Sequence, residues 1–181
     1  AMFQTPGLWD MLNKQVQAGK IRHLGISIGS NRNIFQTDRA TEVNAQAIQV
    51  VYNRINRNPE DEVLPSCARQ DLGVLARVPL ASGYLSGKYD VGATFPANDV
   101  RHGRDAEQQR KMLEEISQIR KQEVPAGVPM AQWALAWCLK HPAVTCVIPG
   151  CKNVEQVESN AAAADLAMVA ADHPQAVRSG V

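Results

Sequence analysis

Two segments of this 181-residue chain combine glycine, lysine and hydrogen-bonding side chains in patterns suited to holding a phosphate. In Pro79-Leu80-Ala81-Ser82-Gly83-Tyr84-Leu85-Ser86-Gly87-Lys88-Tyr89, two glycines let backbone N–H groups approach an anion closely, and Lys88 adds a point charge. In Ile148-Pro149-Gly150-Cys151-Lys152-Asn153, a strand-like run enters a glycine and then a helix start with a lysine beside it. Free helix N–H groups plus a cation make an anion site. Gln156 and Asn160 share a face of that helix and can reach one ligand. A flexible turn with a surface lysine accounts for the first segment as well, and simple helix capping for the second. Their joint occurrence, each just beyond a strand end, is what favours a ligand.

Parallel α/β sheets and barrels bind ligands beyond the carboxyl ends of their strands, so the elements behind these segments matter. Leu8, Trp9, Leu12 and Val16 recur at helical spacing, with Gly19 as a stop. Short apolar runs at residues 21–28, 47–51, 73–78 and 144–148 read as buried strands. Between them, Ser30 and Asn31 can cap a helix running to Glu42, and residues 60–70 read as a short helix containing Pro65. Residues 106–122 carry Met112, Leu113, Ile116 and Ile119 on one face of a surface helix. Residues 130–140 form a deeper apolar helix begun by Pro129. Residues 153–164 close with a last helix, and the tail from about Ala170 is expected to fray. The stretch 80–105 is long for a loop in a compact domain, and such loops are usually functional.

The fold class expected is therefore α/β, in one domain over residues 1–181, with four parallel strand–helix units. Four units cannot close an eight-stranded barrel, which takes about 250 residues, and an open sheet of four would leave an apolar face bare. The arithmetic suggests half of something.

Composition narrows the function classes. Charge is 19 basic against 18 acidic residues and aromatics are 5%, which gives neither a field nor a stacking surface for nucleic acid. No apolar run nears the ~18 residues of a membrane span, and no leader is evident, so the expected location is cytoplasmic. Cys67, Cys138, Cys146 and Cys151 include no C-x-x-C pair and no ligand spacing with histidine, so neither a metal site nor a disulfide framework is expected. His23 and His102 read as structural and solvent-exposed, respectively, and Trp133 and Trp137 as core. Cys151, with no histidine evidently paired to it, is not read as a catalytic thiol.

At this point the residues carry a resemblance. P-L-A-S-G-x-L-S-G-K-Y and H-P-A-V-T-x-V-I-P-G-x-K-N-x-x-Q-V-x-x-N resemble the C-terminal half of the aldo-keto reductase family. Upstream, Gly19-Lys20-Ile21-Arg22-His23-Leu24-Gly25-Ile26-Ser27 and Gln49-Val50-Val51-Tyr52-Asn53 resemble two further strands of that family, so the similarity runs from about Trp9 to Asn160. The resemblance implies a TIM-barrel-like fold, the second half of a (β/α)8 barrel, that binds NADPH (NADP) and serves the reduction of aldehydes and ketones. It implies that Ser27 and Gln49 hold the nicotinamide carboxamide. Leu80, Ser82, Leu85 and Lys88 would line the pyrophosphate. Gly150 and Lys152 would meet the adenosine 2′-phosphate, with Gln156 close by and Asn160 on the adenine. A cation at Lys152 would favour NADPH over NADH.

Three departures from the family pattern stand out, over four positions. Ile28 stands where an asparagine is frequent, Ser159 where an acidic residue is frequent, and Arg77-Val78 where many relatives have an aromatic and a small polar residue. The family's catalytic Asp, Tyr, Lys and His belong to the first four strand–loop units, so no catalytic residue is assigned to this chain. The expectation is an NADP(H)-binding half-barrel whose partners are a nicotinamide nucleotide and either a second copy or a complementary N-terminal half-barrel chain. The alternative is a non-catalytic NADP(H)-binding or homodimeric protein.

Overall fold

A computed structural model of the chain describes residues 2–29 and 34–175. Strands β1 (Leu24–Ser27), β2 (Ala45–Val51), β3 (Gly73–Arg77) and β4 (Cys146–Ile148) form one sheet in the order β1-β2-β3-β4. All three pairings are parallel. The helices are α1 (Leu8–Gln17), α2 (Phe35–Asp38), α3 (Val63–Arg69), α4 (Ala106–Gln122), α5 (Met130–Leu139) and α6 (Val154–Ala161).

Side-chain alternation along the strands decides what each sheet face does. Leu24, Ile26, Ile48, Val50, Val74 and Ala76 are buried, in one core with Val63, Leu64 and Cys67 of α3 and Ala136, Cys138 and Leu139 of α5. The intervening residues Gly25 and Ser27 are exposed, Gln49, Val51, Leu75, Arg77 and Cys146 half-buried, and Ile148 is 40% exposed. The sheet is thus covered by helices on one face and bare on the other.

Several boundaries differ from the sequence reading. The strand expected over 21–28 is confined to Leu24–Ser27, because Ile21, Arg22 and His23 lie exposed ahead of the ladder. His23 therefore precedes the strand, where its Nδ1 meets Oε1 of Gln46. The helix expected up to Glu42 is one turn of α2 and a 3-10 turn, Thr41–Val43, stopped by Asn44 at φ +59°. Its expected caps, Ser30 and Asn31, lie outside the described residues, as does the tail beyond residue 175. Over 60–70 the helix begins only at Val63, which places Pro65 in the first turn, where its missing N–H removes no bond. The last strand starts at Cys146 rather than residue 144, and the last helix ends at Ala161 before a 3-10 turn, Ala162–Asp165.

The stretch 80–105 is more structured than a loop. It opens with a 3-10 segment, Ala81–Ser86, whose Tyr84 and Leu85 are fully buried against Leu113, Ile116 and Ile119 of α4 and Met130, Trp133 and Ala134 of α5. This is a second core, separate from the one under the sheet. Gly87 closes the segment at φ +78°, and a Cβ there would stand 3.1 Å from Cβ of Met130.

A polar cluster ties the end of β2 to α5. Tyr52 is buried, donates from its hydroxyl to Glu60 (2.8 Å), and packs against Trp137 and His141. Arg57 grips the same carboxylate at 2.7 Å. Burial, then the Glu60 acceptor, holds the Tyr52 phenol well above its usual range. Arg57 holds Glu60 below its ordinary value, and burial holds His141 below its own.

Two predictions follow from these contacts. Gly87→Ala places a Cβ in a left-handed residue against Met130, a cost of about 1–2 kcal/mol from the backbone alone. Urea unfolding should show the lowered midpoint; an unchanged midpoint would contradict the described conformation at Gly87. The second concerns acid. A histidine with a depressed folded pKa stabilises the chain above its ordinary 6.5, and that contribution drains as pH falls through 6.5 towards the folded value. Glu60 adds a further loss below its ordinary 4.5. Stability should therefore be flat only between about pH 7 and 8 and fall in two stages on acidification, with His141→Gln removing the first stage only. A first stage that persists in His141→Gln would show that another group carries it.

Candidate functional site

The carboxyl ends of the four strands place the sequence-selected residues along one edge. Ser27 ends β1, and its register partner Gln49 donates from Nε2 to the Ser27 hydroxyl at 3.3 Å. Both side chains lie on the bare face. Arg77 and Ile148 are register partners at the ends of β3 and β4, so the two phosphate-type segments leave the sheet side by side.

The first segment is strained. Val78, Ala81 and Ser82 have φ of +56°, +48° and +57°, followed by Gly83 at +88°. Non-glycine residues in this region cost about 1–3 kcal/mol each, most for a β-branched one such as valine. Burial of Leu85 supplies roughly 1.5–3 kcal/mol in compensation, and the Tyr84 ring is buried beside it with its hydroxyl left without a partner among the described residues. Hydrogen bonds hold the turn: Asn53, itself 3% exposed, donates to the Val78 carbonyl at 3.0 Å, and the Leu80 carbonyl accepts from Gly83 and Leu85. Leu85 therefore faces the second core, and only its backbone is left for a ligand. Leu80 and Ser82 are half-buried, and Lys88 is exposed without a direct ion pair among the described residues.

Arg101 fixes the far part of the loop to this turn. It is 8% exposed, chelates Asp99 at 2.8 and 2.6 Å, donates to Tyr89 and to the Ser82 carbonyl, and lies 4.1 Å from the Phe95 ring centroid. The Arg101 guanidinium, then its backbone N–H, holds the Asp99 carboxyl well below the usual range, and Lys152 adds to this from the second segment. Arg104 reaches the Ser82 hydroxyl at 3.3 Å.

In the second segment Asn153 caps α6: its side chain accepts from the Gln156 N–H at 2.9 Å, and the Gln156 side chain accepts from the Lys152 N–H at 2.8 Å. This reciprocal pair is close to a capping box. Asn160 donates to Sγ of the exposed Cys151 at 3.1 Å. Gln156 and Asn160 are thus brought to the Gly150–Lys152 turn, as their spacing suggested, with their first bonds spent inside it. The Lys152 side chain is exposed and forms no direct ion pair among the described residues.

Asn53, Arg101 and Arg104 were missed in the sequence. Asn53 carries the one usable signal, an asparagine directly after a strand; the arginines sit among turn residues with no periodicity. Among the described residues, no helix is long and apolar enough to cross a membrane.

Comparison with known proteins bears on this arrangement. The Aldo/keto reductase family matches residues 3–178. The NADP(+) aldo-keto reductase Yakc of Schizosaccharomyces pombe is 32% identical over 155 residues, covering 82% of this chain and 45% of that protein. The uncharacterized oxidoreductase YrpG of Bacillus subtilis is 29% identical, over 89% of this chain and 49% of its own length. A probable voltage-gated potassium channel subunit beta of Arabidopsis thaliana is 32% identical, over 71% of this chain and 41% of its own. The chain thus spans about half the length of the curated relatives it matches. In fold it is similar to the holo form of aldo-keto reductase AKR11C1 from Bacillus halodurans, with a TM-score of 0.67 over 92% of this chain and 52% of the other, at 24% identity. Four consecutive parallel strand–helix units, with the ordered motifs at their carboxyl ends, place this chain in the aldo/keto reductase family.

Proposed function

We propose that the chain holds NADP(H) along the carboxyl edge of its sheet and is the cofactor-binding part of an aldo-keto reductase acting on an aldehyde or ketone. The observation that carries this reading is the alignment of three features on adjacent strand ends. These are the Ser27–Gln49 amide–hydroxyl pair, the strained turn at residues 78–83, and the Gly150–Lys152 turn at the start of α6. Their chemistry fits the group: an amide and a hydroxyl for a carboxamide, a positive-φ turn with Lys88 for a diphosphate, and an unpaired ammonium at a helix start for a phosphate monoester.

In this reading Ser27 and Gln49 orient the nicotinamide end, and the backbone from Leu80 to Leu85 with Ser82 and Lys88 takes the diphosphate. Gly150, Lys152, Gln156 and Asn160 take the adenosine end. Bound NADPH supplies the hydride. A positioned general acid contributes about 10²–10⁴-fold to such reductions. No residue of this chain is assigned that role, so the chain by itself should turn over a generic aldehyde very slowly at best.

The test is a thermal melt with NADPH, with NADH as control, joined to alkylation of Cys151. A ligand at 100 times its Kd stabilises the folded state by roughly 2.7 kcal/mol. NADPH should raise the midpoint more than NADH, Lys152→Ala should erase that difference, and NADPH should slow alkylation of the exposed Cys151. Cys138 and Cys67, buried and pushed up to about 12 and about 11, should stay unreactive in the folded chain. A folded protein that shows neither stabilisation nor protection would sink the cofactor reading.

The bare sheet face favours a second, compatible reading in which a second copy or a complementary half-barrel chain covers it. Val51, Leu75, Cys146 and Ile148 lie on that face, apolar and partly open to solvent, Ile148 the most at 40%. Native mass measurement should then give a dimer of this chain, or a heterodimer once the complementary chain is added. A monomer that melts cooperatively and ignores added partner would count against it.

A further inference from the structure

The bare face carries a cation that the motifs do not use. Among the described arginines, only Arg54, Arg77 and Arg101 are buried or half-buried. Arg54 chelates Glu123, with contacts of 3.0 and 2.6 Å, and Arg101 chelates Asp99. Arg77 has no such partner: among the described residues its side chain makes no hydrogen bond and no ion pair, and its Nε is buried with nothing to donate to. A guanidinium holds its charge and only donates hydrogen bonds, and a buried side-chain donor without a partner is uncommon, shared here only with the Thr37 and Tyr84 hydroxyls among the described residues. No acidic residue lies on this face of the strands: the neighbours of Arg77 there are Val51, Leu75, Cys146 and Ile148. An anion for it would come from outside the described residues.

The backbone presents Arg77 rigidly. Its carbonyl accepts from the Tyr52 N–H at 3.3 Å, and the next carbonyl, of Val78, accepts from the buried Asn53. Val78 itself is held at φ +56°, which a valine adopts only under constraint. Arg77 stands one pleat nearer the carboxyl edge than the level of Gln49 and Leu75, on the same face as Ser27 and Gln49. It therefore sits between the amide–hydroxyl pair and the strained turn.

We propose that Arg77 is an anion-binding residue, whose guanidinium takes a pair of carboxylate or phosphate oxygens of a ligand lying across the carboxyl edge of the sheet. The planar fork suits two oxygens of one group, and its fixed position makes it selective for a ligand charged at that point. The proposal rests on the cofactor reading for the position of the ligand but not for the chemistry of the site. The two sources of such an anion are a carboxylate on the carbonyl substrate and the phosphate of the dinucleotide nearest the nicotinamide.

The experiment is an NMR titration of the Arg77 Nε–H in the ¹⁵N-labelled chain, its signal assigned by its loss in Arg77→Gln. Malonate and inorganic phosphate serve as probes, each with and without saturating NADP⁺. At least one probe should move the signal saturably, with affinity, followed on the backbone amides of residues 75–78, weakened about tenfold or more in Arg77→Gln and partly kept in Arg77→Lys. Probe binding abolished by NADP⁺ assigns the site to the cofactor phosphate; malonate binding that survives NADP⁺ assigns it to a substrate carboxylate. If NADP⁺ does not bind at all while a probe still saturates at Arg77, the cofactor reading fails and this one stands. A signal unmoved by both probes and by NADP⁺ overturns it, and that titration decides even if Arg77→Gln does not fold, because Arg77→Lys also lacks the Nε–H and assigns the signal.

Discussion

Everything in this molecule depends on the handedness and order of its crossovers. Strand-to-strand connections in a parallel sheet are right-handed, so a sheet whose strands follow one another in chain order receives every crossover on the same side. The order β1-β2-β3-β4 therefore piles the helices onto one face and leaves the other bare. A doubly wound sheet avoids this by reversing direction partway; this one never reverses. The consequence is a sheet that protects Ile48, Val50, Val74 and Ala76 completely while exposing Gly25, Ser27 and Ile148.

The same order assembles the candidate site. Successive strand ends come to one edge, so residues far apart in the chain, Ser27, Gln49, Ser82 and Lys152, align along it without any long-range interaction specific to them. The turn after β3 then needs its own support, because three of its non-glycine residues adopt positive φ. That support is the second core, in which Tyr84 and Leu85 anchor the turn from below, and the Asn53 side chain, which anchors it from the neighbouring strand. Strain at the edge is sustained by burial behind it.

The long stretch between β3 and α4 shows how a charge can substitute for regular structure. Arg101 joins Asp99, Tyr89, Phe95 and the Ser82 carbonyl in one cluster, and Lys152 adds its charge from the loop after β4. A nearly buried arginine is tolerable here because its charge is met by a chelating carboxylate and its flat faces by aromatic rings. The two phosphate-type segments are thereby linked electrostatically as well as through the β3–β4 ladder.

Sequence by itself determined the architecture and the outline of the site. Apolar runs located every strand, helical periodicity located α1, α4 and α5 almost to the residue, and the glycine–lysine segments coincide with the turns after β3 and β4. These are local signals, set by side-chain period and backbone freedom, and they survive in one dimension. Tertiary structure alone decided the rest. The helix expected to run to Glu42 shrank because Asn44 turns left-handed to enter β2, and the loop after β3 became ordered because a second core lies beneath it. Asn53 and the unpartnered Arg77 owe their meaning to neighbours that stand tens of residues away in sequence. No spacing rule carries such contacts, because they are created by the crossovers that bring the strand ends together.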